Sequence, residues 1–295
     1  MLKYLYFFIT KYKIVRSILI FIYKIRGRKP WSLGYIEYKW NNIESVLKNK
    51  NLIQSFREKK LPEYFGVGLD ERIVEYGWIF SNINSEKAGS LLDAGSVFNF
   101  SKILDLNFLK NKQLTILTYY PERENFNYRK ISYVYGDLRN MIFKDEYFNE
   151  IVCQSTMEHI DMDNSIYGYE IKNYGNMKVK SYEYLKVVDE LYRVLAKNGT
   201  LLFTFPFGKF ENHGFFQQFD SEMVERIKDY FIGKGDLEIN FIKYFKNGWN
   251  FSVEKECNDV NSYNPHTGKG SESDSAAHSR SICCIKFIKK DDTNL

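Results

Sequence analysis

Proline and cysteine are scarce in this chain, with five and four respectively in 295 residues. Few prolines beside 24 Phe and 23 Tyr exclude a disordered or low-complexity chain and point to a packed core. The cysteines, Cys153, Cys257, Cys283 and Cys284, contain no C-x-x-C spacing. That excludes a zinc knuckle and a disulfide framework and suits a reducing cytosol. Histidine is also rare, and neither a His-Glu-x-x-His zinc motif nor a Gly-x-Ser-x-Gly elbow occurs, which removes two common hydrolase classes. Acidic residues are missing altogether from residues 1–30, which carry eight Lys or Arg. The remaining residues hold 34 basic and 37 acidic side chains, a mildly acidic body that argues against a general nucleic-acid binder.

Long apolar runs are absent from the basic N-terminal segment. Its longest uncharged stretches, Tyr4–Thr10 and Ser17–Tyr23, fall far short of the roughly 20 residues that cross a bilayer. Basic residues interrupt the apolar region, and no small-residue cleavage site comes after it, so a secretory signal is not expected either. Read as a helix, residues 1–26 set Lys3, Lys13, Ser17 and Lys24 near one side and Leu5, Phe8, Ile9, Leu19 and Ile22 elsewhere. Such a segment either lies on anionic lipid or packs on its own domain or a second subunit. Gly27 and Pro30 then break the helix, and residues 1–30 read as an amphipathic segment and linker. Residues 31–85 read as a helical cover, with helices over Trp31–Lys60 and Glu71–Ile83 separated by a Gly-containing loop.

From residue 86 onward the chain is rich in strands. Ser90–Ser96 reads as a first strand and its turn, Leu114–Thr118 as a second, Ile131–Tyr135 as a third that ends in a Gly136-Asp137 turn. Glu150–Gln154 is apolar without alternation, as expected of a strand covered on both faces. Ligands in open parallel sheets bind beyond the carboxyl ends of the strands, so Asp137 and the tip Gln154–Asp163 should face a cleft. A helix over Ser181–Leu195, ended by Asn198-Gly199, leads to a buried strand Thr200–Phe205. Asp220 should cap a helix Ser221–Tyr230. Leu237–Tyr244 and Ser281–Lys289 should pair antiparallel at the sheet edge. The polar and aromatic insertion Tyr167–Asn176 and the long loop Glu256–Arg280 read as substrate loops.

Asp137-Leu138, Phe143-Lys144-Asp145, Phe148–Val152, Glu158-His159-Ile160 and Asp189–Gly199 with Thr200–Pro206 resemble the motifs of class I S-adenosylmethionine-dependent methyltransferases. The resemblance covers residues 86–290. More narrowly, the chain is similar to a methyltransferase-like branch associated with bacterial surface-polysaccharide biosynthesis. It implies a Rossmann-like α/β fold: a seven-stranded, mostly parallel sheet with an antiparallel last strand and helices on both faces. It further implies S-adenosyl-L-methionine as cofactor, held by Asp93, Gly95, Ser96, Asp137, Leu138 and Gln154. Two departures stand out. No second glycine comes after Gly95, and Thr118–Pro121 stand where the second strand usually offers an acid to the ribose, leaving Glu122 as the first carboxylate.

Methyl transfer requires the acceptor to be held in line and its proton removed. His159 is the first candidate base, with Glu158 beside it. Asp161 and Asp163 would assist or hold a divalent cation, though no metal is assigned. Asp163, His213 and His266 are candidate substrate contacts, and a helix-capping role for Glu158-His159 is the competing reading. The expected protein is a cytoplasmic enzyme, peripheral on the inner membrane face, that O-methylates a sugar or polysaccharide precursor and binds no nucleic acid. The alternative is a methyltransferase-like scaffold in a glycan-assembly complex.

Overall fold

The computed structural model describes residues 12–122, 124–165 and 179–291. The polar insertion at 167–176 and the apolar positions 5, 8 and 9 lie outside the described residues. Four helices come first: α1 (Lys13–Ile25), α2 (Tyr35–Lys48), α3 (Lys50–Arg57) and α4 (Arg72–Asn82). The pattern that reads as one helix over Trp31–Lys60 is broken at Asn49, whose extended backbone and side-chain oxygen cap α3 through the amides of Asn51 and Leu52.

The sheet contains β1 (Gly89–Ala94), β2 (Lys112–Thr118), β3 (Ser132–Tyr135), β4 (Phe148–Gln154), β5 (Leu195–Pro206), β8 (Gly235–Phe245), β9 (Gly248–Ser252) and β10 (Ser281–Lys289). Their order is β3-β2-β1-β4-β5-β10-β8-β9, with β1 to β5 parallel and β10 antiparallel to both of its neighbours. This is the expected Rossmann-like α/β sheet, with the direction of strand order reversing between β1 and β4. It has eight strands where seven were expected, because β9 folds back on β8 and takes the edge.

Successive residues of the central strands enter two different cores. Leu91, Val152, Leu202 and Cys284 pack with α2, α3 and α4, whereas Leu92, Ile151, Cys153, Phe203 and Cys283 pack with two later helices, α6 (Tyr184–Val194) and α7 (Ser221–Phe231). Burial on both faces explains why these strands read as unbroken apolar runs. Among the described residues the β1–β2 and β2–β3 connections contain no helix longer than the four-residue α5 (Ser101–Leu104), so α2–α4 take over covering that face. Gly77 permits this closeness: a Cβ there would stand 2.2 Å from the Phe56 ring.

One further expectation changes. Asn198-Gly199 does not end α6; α6 stops at Val194, and Asn198, with φ 57°, kinks β5 where its register against β4 jumps from Phe148↔Leu195 to Glu150↔Thr200. Within Lys209–Phe219 the chain forms a small hairpin, β6 (Glu211–Asn212) with β7 (Gln217–Gln218). Asp220 caps α7 as expected, its carboxylate accepting from the Met223 amide at 3.2 Å.

Candidate functional site

A cavity of about 730 Å³ opens at the carboxyl ends of β1–β4, at the point where strand order reverses. Its floor begins with the turn after β1. Asp93 is fully buried and accepts the amides of Val97 (3.1 Å) and Phe98 (2.8 Å), so one carboxyl fixes the whole turn from beneath. Burial, only partly offset by these two amide bonds, pushes Asp93 up to about 7. Gly95 has φ 121°, and a Cβ there would meet Thr156 Oγ1 at 2.1 Å. The tightness that requires glycine is therefore set by the β4 tip. Ser96 comes next at φ 64°, lines the cavity, and its buried hydroxyl has no hydrogen-bond partner.

Beyond β2, Glu122 lines the cavity and accepts from Asn99 Nδ2 at 2.7 Å. Tyr133 in turn donates to Asn99 Oδ1 at 2.8 Å, so this carboxylate is positioned by the turns after both β1 and β2. After β3, Asp137 is half-buried and is gripped by its own near neighbour: Arg139 Nε and an η nitrogen donate to both carboxylate oxygens, at 2.7–3.1 Å. Burial would raise the Asp137 pKa, but Arg139 outweighs it and holds the carboxyl below its usual range. Arg139 also reaches Glu183 at 3.2 Å.

The β4 tip supplies the opposite wall. Ser155 (φ 41°) and Asp161 (φ 62°) both line the cavity in a backbone region that favours glycine. With Ser96 they make three such non-glycine residues around one cavity, the clustering of strain that marks functional sites. His159 lines the cavity as well. Its Nδ1 lies 2.7 Å from the Phe215 carbonyl, so Nδ1 carries the proton and Nε2 is the basic nitrogen, 3.9 Å from Glu158 Oε1. Burial lowers His159 to about 4, which keeps the ring neutral at pH 7.

Beneath this wall lies a layer of buried charge. Glu75 of α4 accepts from the Ser155 hydroxyl, from Thr204 (2.7 Å) and from Gln154 (3.3 Å), and pairs with Arg72 at 3.1 Å. Burial raises the Glu75 carboxyl, and burial with the Glu75 charge raises Glu158 well above its usual range. Burial opposes the charge on Arg72, yet Glu75 and Glu71 outweigh it, so the guanidinium stays ionised where it lines the cavity. Glu71 is itself paired with His278 at 3.0 Å.

Of the residues expected from sequence, Gly95, Ser96, Asp137, Leu138, His159 and Asp161 line this cavity together. Asp93, Gln154 and Glu158 lie behind its wall, supporting it without reaching the surface. Asp163 sits outside, bonded to the Ser165 amide at 2.9 Å. His213 and His266 also stand away from the cavity. His213 stacks on Phe216 and lies 2.7 Å from Ser262, while His266 packs edge-on against Phe215. The Glu256–Arg280 loop contributes no lining residue to this cavity. Sequence reasoning missed Arg72 and Arg139, while Ser155 and Thr156 fall within the Gln154–Asp163 tip expected to face the cleft. A signal existed for Arg72: Glu71, Arg72 and Glu75 are charges on an otherwise apolar helix. Among the described residues no His/Cys/Asp/Glu cluster could hold a metal ion.

No family model and no curated protein matches the chain. Similar solved structures include the N-methyltransferase NodS of Bradyrhizobium japonicum WM9 in complex with S-adenosyl-l-homocysteine: 11% identity, TM-score 0.40, covering 86% of this chain and 99% of that one. The 1,6-didemethyltoxoflavin-N1-methyltransferase of Burkholderia thailandensis is 9% identical, TM-score 0.40, over 84% and 89% of the two chains. The [4+2]-cyclase SpnF is 12% identical, TM-score 0.43, over 72% and 79%. With every TM-score below 0.5, these likenesses carry no weight in assigning a function to this chain.

Proposed function

We propose that this chain is an S-adenosylmethionine-dependent methyltransferase acting on a hydroxyl of a sugar or polysaccharide precursor. The observation that carries the reading is the cavity at the switch point, walled by the Gly95–Val97 turn, Glu122, Asp137-Leu138 and the β4 tip. Its size falls within the range of small-molecule and cofactor sites. The residues suit the cofactor. Glu122 would accept from ribose hydroxyls, Asp137 from the adenine amine, and the Ser96 hydroxyl, which has no partner among the described residues, supplies a further polar contact. Leu117, Val97, Leu138 and Ile160 provide apolar surface for a base. When bound, S-adenosylmethionine supplies an electrophilic methyl group on a sulfonium.

The protein's own part is to orient the acceptor and take its proton. Arg72, Asn164, Asp161 and Thr156 offer a polyhydroxylated acceptor several donors and acceptors on one wall, and Tyr119 and Phe100 offer ring surface. On this reading His159 Nε2 would receive the hydroxyl proton. A base near 4 is weak at neutral pH, so its value there lies in alignment more than in driving force. The basic N-terminal segment would keep this cytoplasmic protein peripheral on the inner membrane face.

One observation favours a second reading, a scaffold without efficient cofactor binding: the Arg139 fork already engages both oxygens of Asp137. Calorimetric titration with S-adenosylmethionine and S-adenosylhomocysteine separates the two. The enzyme reading expects binding near micromolar, about −8 kcal/mol, weakened roughly tenfold or more by Asp137→Ala in a protein that circular dichroism shows still folded. No heat at millimolar cofactor would leave the scaffold as the better account.

A further inference from the structure

Helix α1 presents three surfaces. At about 100° per residue, Val15, Leu19, Ile22 and Tyr23 share one sector, and this side is half-buried to buried. Tyr23 anchors it, fully buried, with its ring 5.9 Å from Tyr35 and 5.1 Å from Tyr38 and its hydroxyl donating to the Arg28 carbonyl at 2.8 Å. Leu19 and Ile22, on the Tyr23 side of the helix, are half-buried. A second sector holds Ile14, Ile18, Phe21 and Ile25, which are 76%, 52%, 61% and 66% exposed. Alongside it run Lys13, Ser17 and Lys24, all exposed, and Arg26, Arg28 and Lys29 continue the positive charge beyond the helix end.

A helix that only covered its own domain would turn polar residues outward. Four large apolar side chains in one row are a patch that soluble monomers rarely leave open. We propose that this face of α1 docks on an anionic lipid bilayer, with Ile14, Ile18, Phe21 and Ile25 entering the acyl boundary and the Lys13–Lys24 row among the headgroups. The peripheral placement proposed above is the reading on which this rests; the methyltransferase reading is independent of it.

Charge separates lipid from a second copy of the chain. Residues 1–30 carry eight basic and no acidic side chains, so two α1 faces brought together would oppose like charges. The rest of the chain has a net charge of only −3, from 34 basic and 37 acidic residues, and offers little to offset them. An anionic surface complements both rows at once.

The test is co-flotation of the full chain with vesicles of phosphatidylcholine plus phosphatidylserine, against phosphatidylcholine alone. The full chain should float with the anionic vesicles and lose binding as salt rises. Ile18→Asp with Phe21→Asp, both at exposed positions, should weaken binding at least tenfold at unchanged circular dichroism. Lys13→Glu with Lys24→Glu should weaken it about fivefold for each lysine charge removed. A full chain that never floats overturns both the peripheral placement and the docking face. Flotation untouched by either pair overturns this face alone. A concentration-dependent dimer in sedimentation, abolished by the Ile18 and Phe21 changes, would assign the stripe to a second copy instead.

Discussion

Gly95 shows how a single residue can be recognisable in the sequence while its physical reason is not. A glycine after the first strand suggests close backbone approach to a ligand, but the contact it avoids is the Thr156 side chain, at 2.1 Å from a Cβ placed there. Gly95→Ala should therefore destabilise the protein by about 2 kcal/mol or more, through a clash and a backbone angle that alanine disfavours. Urea denaturation of Gly95→Ala, alone and combined with Thr156→Gly, checks this. The second change should recover the steric part and leave the conformational part, and equal losses in both variants would sink the explanation. Ser262 and His213 give the opposite lesson. Their 2.7 Å contact resembles a nucleophile and base, yet Ser262 is fully buried, and Glu211 lies on the Nε2 side of the ring, 3.6 Å away, where it cannot orient Nδ1. That constellation is structural.

Among the elements, α6 does more than cover the sheet. Its Arg193 donates to the carbonyls of Met141 (2.9 Å) and Phe143 (2.8 Å) and to the carboxylates of Asp145 and Glu190, while Glu190 accepts the Met141 amide. These bonds hold the irregular β3–β4 connection, which carries no helix of its own. Arg193→Ala should cost about 1–3 kcal/mol and speed amide exchange across 139–147. Arg193→Lys should rescue little, because an ammonium cannot reproduce the planar fork. A fully rescuing lysine would show that charge alone mattered. The strands and helices around this connection were legible because their apolar patterns match their burial: β1, β2, β4, β5, β8 and β10, and α4, α6 and α7, stand within a few residues of expectation. What escaped depended on distant partners. β9 is short and is held by Trp249, whose indole donates to the Leu69 carbonyl at 3.0 Å, although Asn247-Gly248 was a usable hairpin signal. That Glu71, Glu75 and Glu158 form one buried layer was illegible for the same reason, since they meet only when α4 crosses the ends of β4 and β5.

At the scale of the whole molecule, that buried layer should govern how stability depends on pH. Asp93, Glu75 and Glu158 have folded-state pKa values raised, first of all by burial. Between the ordinary carboxyl range and the raised values the native state binds protons that the unfolded chain does not, so this stability is present at low pH and lost as pH rises. His278 acts in the same direction: Glu71 outweighs burial and raises it, so its contribution is lost above its own folded pKa. His159 opposes them. Lowered by burial from 6.5 to about 4, it makes the protein less stable as pH falls through that window. Asp93, raised to about 7, and Glu158, raised well above its usual range, outweigh one imidazole, and melting should rise from pH 8 toward pH 5 by on the order of 5 °C. Further acidification should reverse the trend. Glu71 is held at about 2 because His278 overcomes the effect of burial, and Glu211 is held at about 2 because His213 and Ser262 do the same. Both contribute stability above pH 4.5 that is lost progressively as pH falls from 4.5 toward 2. Thermal melts at unit pH steps test the sign directly. Asp93→Asn should flatten the slope between pH 5 and 7, since an amide at that position has no proton to exchange while one oxygen still accepts from the β1 turn. A melting temperature that rises steadily from pH 5 to pH 8 would mean that these carboxyls are ionised in the native state, with Arg72 and the turn amides meeting the whole cost of their burial.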